Sequence, residues 1–195
     1  MDETLRYYNQ NALSFIEGTQ NADMSAQYRI FLKYLPQNGR LLDLGCGSGR
    51  DSGYFSSLGY DVTAVDGSEE LCKQVRERYQ IDAQCIRFED LAFDKEFDGI
   101  WACASLLHVN KADMTSVMMK VSGALKAGGI LYASFKYGNS ERICNGRFFN
   151  DYTENDLDAL LNGENQLSLL EYWITEDVRP DRVGECWLNF VAKKQ

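Results

Sequence analysis

Leu41-Leu42-Asp43-Leu44-Gly45-Cys46-Gly47-Ser48-Gly49-Arg50 is the stretch whose reading decides the fold. Its apolar run, Leu41 to Leu44, predicts a short buried strand, and glycines follow at three alternate positions. Glycine turns tightly at a strand end and lets backbone approach a ligand with no Cβ in the way. Residues 51–58 have helical patterning, so the turn is expected to feed a helix N-terminus. Strand, glycine turn and helix together predict a nucleotide-type pocket.

The dinucleotide fingerprint requires G-x-G-x-x-G. Here Arg50 stands at the third glycine's position and Gly49 comes one place early, which disfavours a nicotinamide dehydrogenase. The strand also ends on a carboxylate, Asp43, which would repel a pyrophosphate and attract a cationic amine. A second acid, Asp66, ends the next apolar strand, about 20 residues beyond Gly45, the spacing of a carboxylate that grips a ribose diol.

With these residues the chain resembles the class I S-adenosylmethionine-dependent methyltransferases. Asp43-Leu44-Gly45-Cys46-Gly47-Ser48-Gly49 reads like their first motif, and Asp66 stands at their strand-two acid. The continuation Gly49-Arg50-Asp51 looks like the small tellurite-resistance and thiopurine-type members. The general resemblance covers roughly residues 30–135. It implies an α/β, Rossmann-like, doubly wound, seven-stranded and mainly parallel sheet with an antiparallel last strand and an N-terminal helical lid. One domain over 1–195 is expected, with 1–35 as the lid and 36–195 as the core that binds S-adenosylmethionine.

The resemblance also implies a site. Asp43 with Gly45, Cys46, Gly47 and Gly49 would hold the methionine part of the cofactor, and Asp66 with Gly67 and Ser68 the ribose. Phe88, Glu89 and Asp90 after strand three, and Cys103 and Ala104 after strand four, complete the crevice. Many members accept from the adenine amine with an acid at the end of strand three. Arg87 stands there in this chain, and arginine has no acceptor. Phe88 is then expected to flank the ring, with Glu89 or Asp90 as the acceptor. The product would be S-adenosylhomocysteine.

The composition agrees with a single globular domain of 195 residues, 45% hydrophobic and 25% charged. No stretch reaches 18 apolar residues, and the acidic opening Met1-Asp2-Glu3 is unlike a signal peptide. Six cysteines without a C-x-x-C pair predict free thiols in the cytoplasm rather than zinc or disulfides. The net charge of −9 disfavours a nucleic-acid substrate. A small-molecule acceptor is therefore expected, with no membrane partner and no metal, in a monomer or homodimer.

Leu5, Tyr8, Ala12 and Phe15 share a helical face, and a polar joint at 18–23 separates them from a second helix carrying Tyr28, Phe31, Leu32 and Leu35. The Tyr7-Tyr8 pair is read either as core packing or as part of a lid over the pocket. Strands are expected at 61–65, 83–88, 97–102 and 130–135, and helices at 68–79 and 111–126, the last ending at Gly128-Gly129. This alternation predicts a parallel sheet with right-handed crossovers. A loop at 136–151, a capped helix at 153–161 and strands at 167–175 and 186–192 follow.

His108, Arg50 and Tyr8 are the candidate catalytic residues. His108, the only histidine, is either a packing residue or a base that takes the acceptor's proton. Arg147, Arg179 and Arg182, with Trp187, are the candidate acceptor-binding residues, because arginine's planar fork suits a carboxylate, phosphate or other oxyanion. The competing reading is an ordinary solvated face of ion pairs. Two alternatives to methyl transfer are a sensor or scaffold that binds the cofactor without turnover, and aminopropyl transfer from the same pocket.

Overall fold

A computed structural model describes residues 3–179 and 182–195. In chain order it holds helices α1 (Glu3–Gln10), α2 (Ala12–Thr19) and α3 (Ser25–Leu32), strand β1 (Arg40–Leu44), α4 (Arg50–Ser57), β2 (Asp61–Asp66) and α5 (Glu69–Tyr79). Then come β3 (Asp82–Cys85), β4 (Phe97–Ala102), α6 (Lys111–Ala124), β5 (Leu125–Lys136), β6 (Glu141–Cys144) and β7 (Arg147–Asn150). Helix α7 (Glu154–Leu161) and strands β8 (Leu167–Glu176) and β9 (Cys186–Lys194) close the chain.

Seven strands form one sheet in the order β3-β2-β1-β4-β5-β9-β8. The first five are parallel, and β9 inserts antiparallel between β5 and β8. This is the expected Rossmann-like sheet. Strand β1 is central and covered on both faces, which is why Leu41, Leu42 and Leu44 are all buried instead of alternating with exposed polar residues. Leu42, Leu44, Ile100 and Leu131 pack with Met114, Val117, Met118 and Val121 of α6 and Leu157 of α7. On the other face Leu41, Val62, Ala64 and Trp101 pack with Tyr28 and Phe31 of α3, Phe55 of α4 and Val75 of α5. The sheet's direction change beside β1 leaves a crevice at the strand C-termini, where open α/β sheets bind ligands.

Three local expectations are corrected. The 136–151 stretch is not a loop: Arg142 pairs with Phe149 and Cys144 with Arg147 in a two-stranded hairpin. Its turn is Asn145-Gly146, both at positive φ (50° and 73°), the left-handed conformation that closes a two-residue hairpin. Helix α6 stops at Ala124, short of Gly128-Gly129, because Lys194 Nζ donates to the carbonyls of Ser122 (2.7 Å) and Leu125 (2.8 Å). The N-terminal helix bends at Asn11 into α1 and α2, with Asn11 Nδ2 donating to the Tyr7 carbonyl at 2.8 Å.

A buried acid ties the elements below the crevice together. Asp51 accepts from the Tyr28 hydroxyl, from Trp101 Nε1 at 2.8 Å, and from Arg50 Nε and Nη2 at 2.6 and 2.8 Å. Burial alone would raise the Asp51 pKa, but the Arg50 charge and these donors outweigh it and hold the carboxyl below its usual range. Breaking such a pair strands a buried charge, so Asp51→Ala should cost about 3–5 kcal/mol of stability by urea unfolding at neutral pH. With a lowered folded-state pKa, the contribution is complete above the unfolded carboxyl's pKa and disappears as pH falls through the folded value. The gap between parent and variant should therefore narrow on acidification. An unchanged urea midpoint at neutral pH would show that Asp51 does not hold these elements.

Candidate active site

The glycine turn enters the crevice because its conformation admits no side chain. Gly45 has φ 80°, and a Cβ there would lie 2.3 Å from the Ser105 Cβ. Its N–H and that of Cys46 both donate to the Val65 carbonyl, at 2.7 and 3.0 Å, pinning the turn to the end of β2. Gly47 N–H donates to Asp66 Oδ2 at 3.0 Å, and Ser68 N–H to Asp66 Oδ1 at 2.9 Å. A carboxylate has about four lone-pair sites, so Asp66 keeps acceptor capacity for a diol. Burial raises its pKa, against the lowering effect of these N–H donors.

The turn opens into a cavity of about 960 Å³. Gly45, Cys46, Gly47, Arg50, Asp66, Gly67, Phe88, Glu89, Cys103 and Ala104 line it, as do Tyr8, His108, Arg147, Arg179, Arg182 and Trp187. Asp43, Gly49, Ser68 and Asp90 do not. Asp43 lies one layer below, 2% exposed, accepting from Ser52 Oγ of α4 at 2.5 Å. Burial, then the neighbouring Asp51 charge, push its carboxyl up to about 8. It therefore lies behind the turn rather than in the cavity wall. Gly49 caps α4 against Tyr79 and Val75, while Ser68 caps α5. Arg87 turns to Glu89, with Nε and Oε1 2.7 Å apart, so the acceptor expected after strand three is itself paired.

Helices α1 and α2 roof the cavity. A Cβ on Gly67 would lie 2.6 Å from Leu5 Cδ2, and one on Gly47 3.0 Å from Phe15 Cε1. Asn9 Oδ1 accepts from Ser68 Oγ at 2.8 Å, and Thr4 Oγ1 accepts from Phe148 N–H at 3.0 Å. The Tyr8 hydroxyl lies 2.8 Å from His108 Nε2, and His108 Nδ1 lies 2.6 Å from the Phe148 carbonyl. A carbonyl only accepts, so Nδ1 carries the proton in neutral His108 and Nε2 accepts from Tyr8. Burial raises the Tyr8 pKa to about 12, partly offset by Arg147.

The cations at this end of the cavity differ from one another. Arg50 is bound to Asp51, Arg142 to Asp151, Arg179 to Asp177 (2.6 Å) and Arg182 to Glu185 (3.1 Å). Trp187 Nε1 donates to Asp177 at 3.0 Å, and Lys136 joins Glu185. The expected basic cluster is thus largely neutralised by acids that the sequence places nearby. Arg147 makes no ion pair among the described residues. Its guanidinium lies over the rings of Tyr7 (4.6 Å), Phe149 (5.2 Å) and Tyr8 (5.9 Å), and its buried Nε lacks a hydrogen-bond partner. Sequence reasoning missed the Phe148 carbonyl, Thr4 and Asp177. The Asn145-Gly146 turn signal would have exposed the hairpin that carries the first of them.

Residues 42–133 match the family model described as a methyltransferase domain. The chain is 34% identical to "Putative methyltransferase YqeM" of Bacillus subtilis (strain 168) over 52% of its own length and 46% of the relative's. It is 36% identical to a "Ubiquinone biosynthesis O-methyltransferase" of Xanthomonas axonopodis pv. citri (strain 306), over 51% and 44%. The chain spans about half the length of the curated relatives it matches. Among solved structures it is similar to Burkholderia thailandensis 1,6-didemethyltoxoflavin-N1-methyltransferase, with TM-score 0.80, 22% identity and coverage of 97% and 85%. It is also similar to TehB from Haemophilus influenzae, with TM-score 0.73, 22% identity and coverage of 93% and 66%. Residues 42–133 thus match the methyltransferase-domain family, within a fold that solved methyltransferases share.

Proposed function

We propose that the protein is an S-adenosylmethionine-dependent methyltransferase acting on a small molecule. The observation that carries this reading is the continuity of one cavity from the Gly45–Ser48 turn and Asp66 to Tyr8, His108 and Arg147. The residues fit the cofactor: Asp66 is a buried carboxylate with acceptor capacity left, and the backbone at Gly45 and Gly47 is bare at the cavity wall. Asp66 would hold the ribose hydroxyls, the turn the methionine part, and Phe88 one face of the adenine. Bound S-adenosylmethionine supplies an activated sulfonium methyl for in-line displacement. The protein's part is then to align the acceptor's lone pair and exclude water.

Helices α1 and α2 form the lid in this reading. Leu5 and Phe15 pack over the cofactor wall and Tyr8 reaches the acceptor end. A roofed cavity supports a small acceptor over a nucleic acid, whose backbone needs a long positive track. One relative is named for O-methylation and one structural neighbour for N1-methylation, so the names support a small-molecule acceptor without choosing its atom. The tellurite and thiopurine subtype rests on Gly49-Arg50-Asp51 and on the likeness to TehB. Arg50 in this chain is committed to Asp51, which gives it an ordering role under the turn rather than a catalytic one.

Two measurements test the proposal. Asp66→Ala should weaken S-adenosylmethionine binding at least tenfold, since each hydrogen bond to a charged group is worth about 1.5–3 kcal/mol. Calorimetry with unchanged affinity would remove Asp66 from the site. Deleting residues 1–20 should leave the far-ultraviolet spectrum of a folded sheet protein while most turnover of labelled methyl is lost. Full activity in the shortened protein would reduce α1 and α2 to packing elements.

A further inference from the structure

Arg147 is the one described cation at the acceptor end whose charge no carboxylate answers, and the groups around it define what could. Arg50, Arg142 and Arg179 each hold an acid, and Lys136 and Arg182 share Glu185, so an incoming anion gains less from them than from a cation with no acid at all. Arg147 combines an unpaired charge, a buried Nε with no partner and a bed of three aromatic rings. A buried unpartnered N–H is costly, and an oxyanion would recover that cost with a charge-assisted bond. Phe149 lines the same cavity beside it, and Trp187 lines its acceptor end. These walls suit a planar ring better than a flexible chain.

Beside this cation stands a proton path with a defined direction. His108 is anchored through Nδ1 to the Phe148 carbonyl, which leaves Nε2 as the basic atom, and Tyr8 fills it. Tyr8 faces Arg147 from β7, Asp66 at the end of β2, and Tyr7 on its own helix. A thiolate or free amine needs no such relay, and a carboxylate arrives already ionised. A ring hydroxyl needs both a proton acceptor and a counter-charge.

Resting on the methyltransferase reading, we infer that the acceptor is a planar ring bearing an acidic hydroxyl, phenolic or enolic, ionised by Tyr8 and His108 and held as its oxyanion by Arg147. The acceptor's O–H bond breaks and its proton joins the Tyr8 oxygen. Tyr8's own proton passes to His108 Nε2, leaving an imidazolium that still donates from Nδ1 to the Phe148 carbonyl. The freed oxygen pair then forms the O–C bond to the methyl group, and the pair of the broken S–C bond stays on sulfur as a thioether. Tyr8 is restored as a neutral phenol throughout, in keeping with burial that disfavours its anion.

The test uses 4-nitrophenol, whose absorbance reports ionisation, added to the full chain saturated with S-adenosylhomocysteine. Bound dye should ionise at least one pH unit below free dye, a tenfold stabilisation of the anion. Arg147→Gln should lose that shift and Arg147→Lys should retain part of it, with S-adenosylhomocysteine affinity, read by calorimetry, unchanged in both. Tyr8→Phe should lower kcat for methylation of a phenol more than it raises KM. Normal S-adenosylhomocysteine binding without dye binding, or with the same ionisation in parent and Arg147→Gln, would overturn the inference alone. Absence of S-adenosylhomocysteine binding in the parent would overturn the methyltransferase reading, and the inference with it.

Discussion

A single buried carboxylate, Asp51, sets the floor of the site. It joins Tyr28 of α3, Arg50 of α4 and Trp101 of β4, three elements far apart in the chain. Trp101 in turn stacks on Tyr132 of β5 with ring centres 3.9 Å apart, so the acid is wedged into the aromatic core. A buried ion pair adds little net stability over an apolar filling, but removing one partner is costly, and that asymmetry makes the arrangement specific. Here it keeps the first turn of α4 under the glycine turn and keeps Arg50 pointing inward. Asp43, a second acid in the same layer, is pushed toward its neutral form by burial and by Asp51. One layer therefore holds one ionised acid and one reluctant acid.

The same accounting of charge shapes the acceptor end. The chain carries 29 acidic and 20 basic side chains, so most cations near the cavity find an acid. Asp151, Asp177 and Glu185 take up Arg142, Arg179 and the Lys136–Arg182 pair. Arg147 is left on aromatic faces, where cation–π attraction holds a guanidinium without neutralising it. A cationic feature of the pocket is thereby narrowed from a cluster to a point.

The roof is tied to the core by polar links and by a small apolar cluster of Ala12 and Ile16 with Leu71 of α5. Thr4 reaches Phe148, Tyr8 reaches His108 and Asn9 reaches Ser68, each from one turn of α1. Leu5 and Phe15 add apolar contact over Gly67 and Gly47. Such a segment opens at a smaller cost than a core helix such as α6, whose inner face is fully buried.

The central sheet and its glycine turn were legible in the chain because their signals are local. A buried parallel strand is mostly apolar, its turn favours glycine where φ is positive, and Asp66 closes the next strand. The resemblance of Asp43–Gly49 and Asp66 to the methyltransferase motif belongs to the same short range. Most partner acids are sequence neighbours of their arginines, whereas Arg147 of β7 rests on Tyr7 and Tyr8 of α1, which only folding brings near. Tertiary structure also decided that Asp43 sits beneath the cavity rather than in it, since Ser52 of the packed helix α4 covers its carboxyl. The tautomer of His108 depends on the carbonyl of Phe148, 40 residues away in sequence, and no local pattern specifies such a contact. Backbone conformation and most charge pairs are written locally, whereas the proton position on His108 and the aromatic bed of Arg147 depend on neighbours that exist only once the chain has folded.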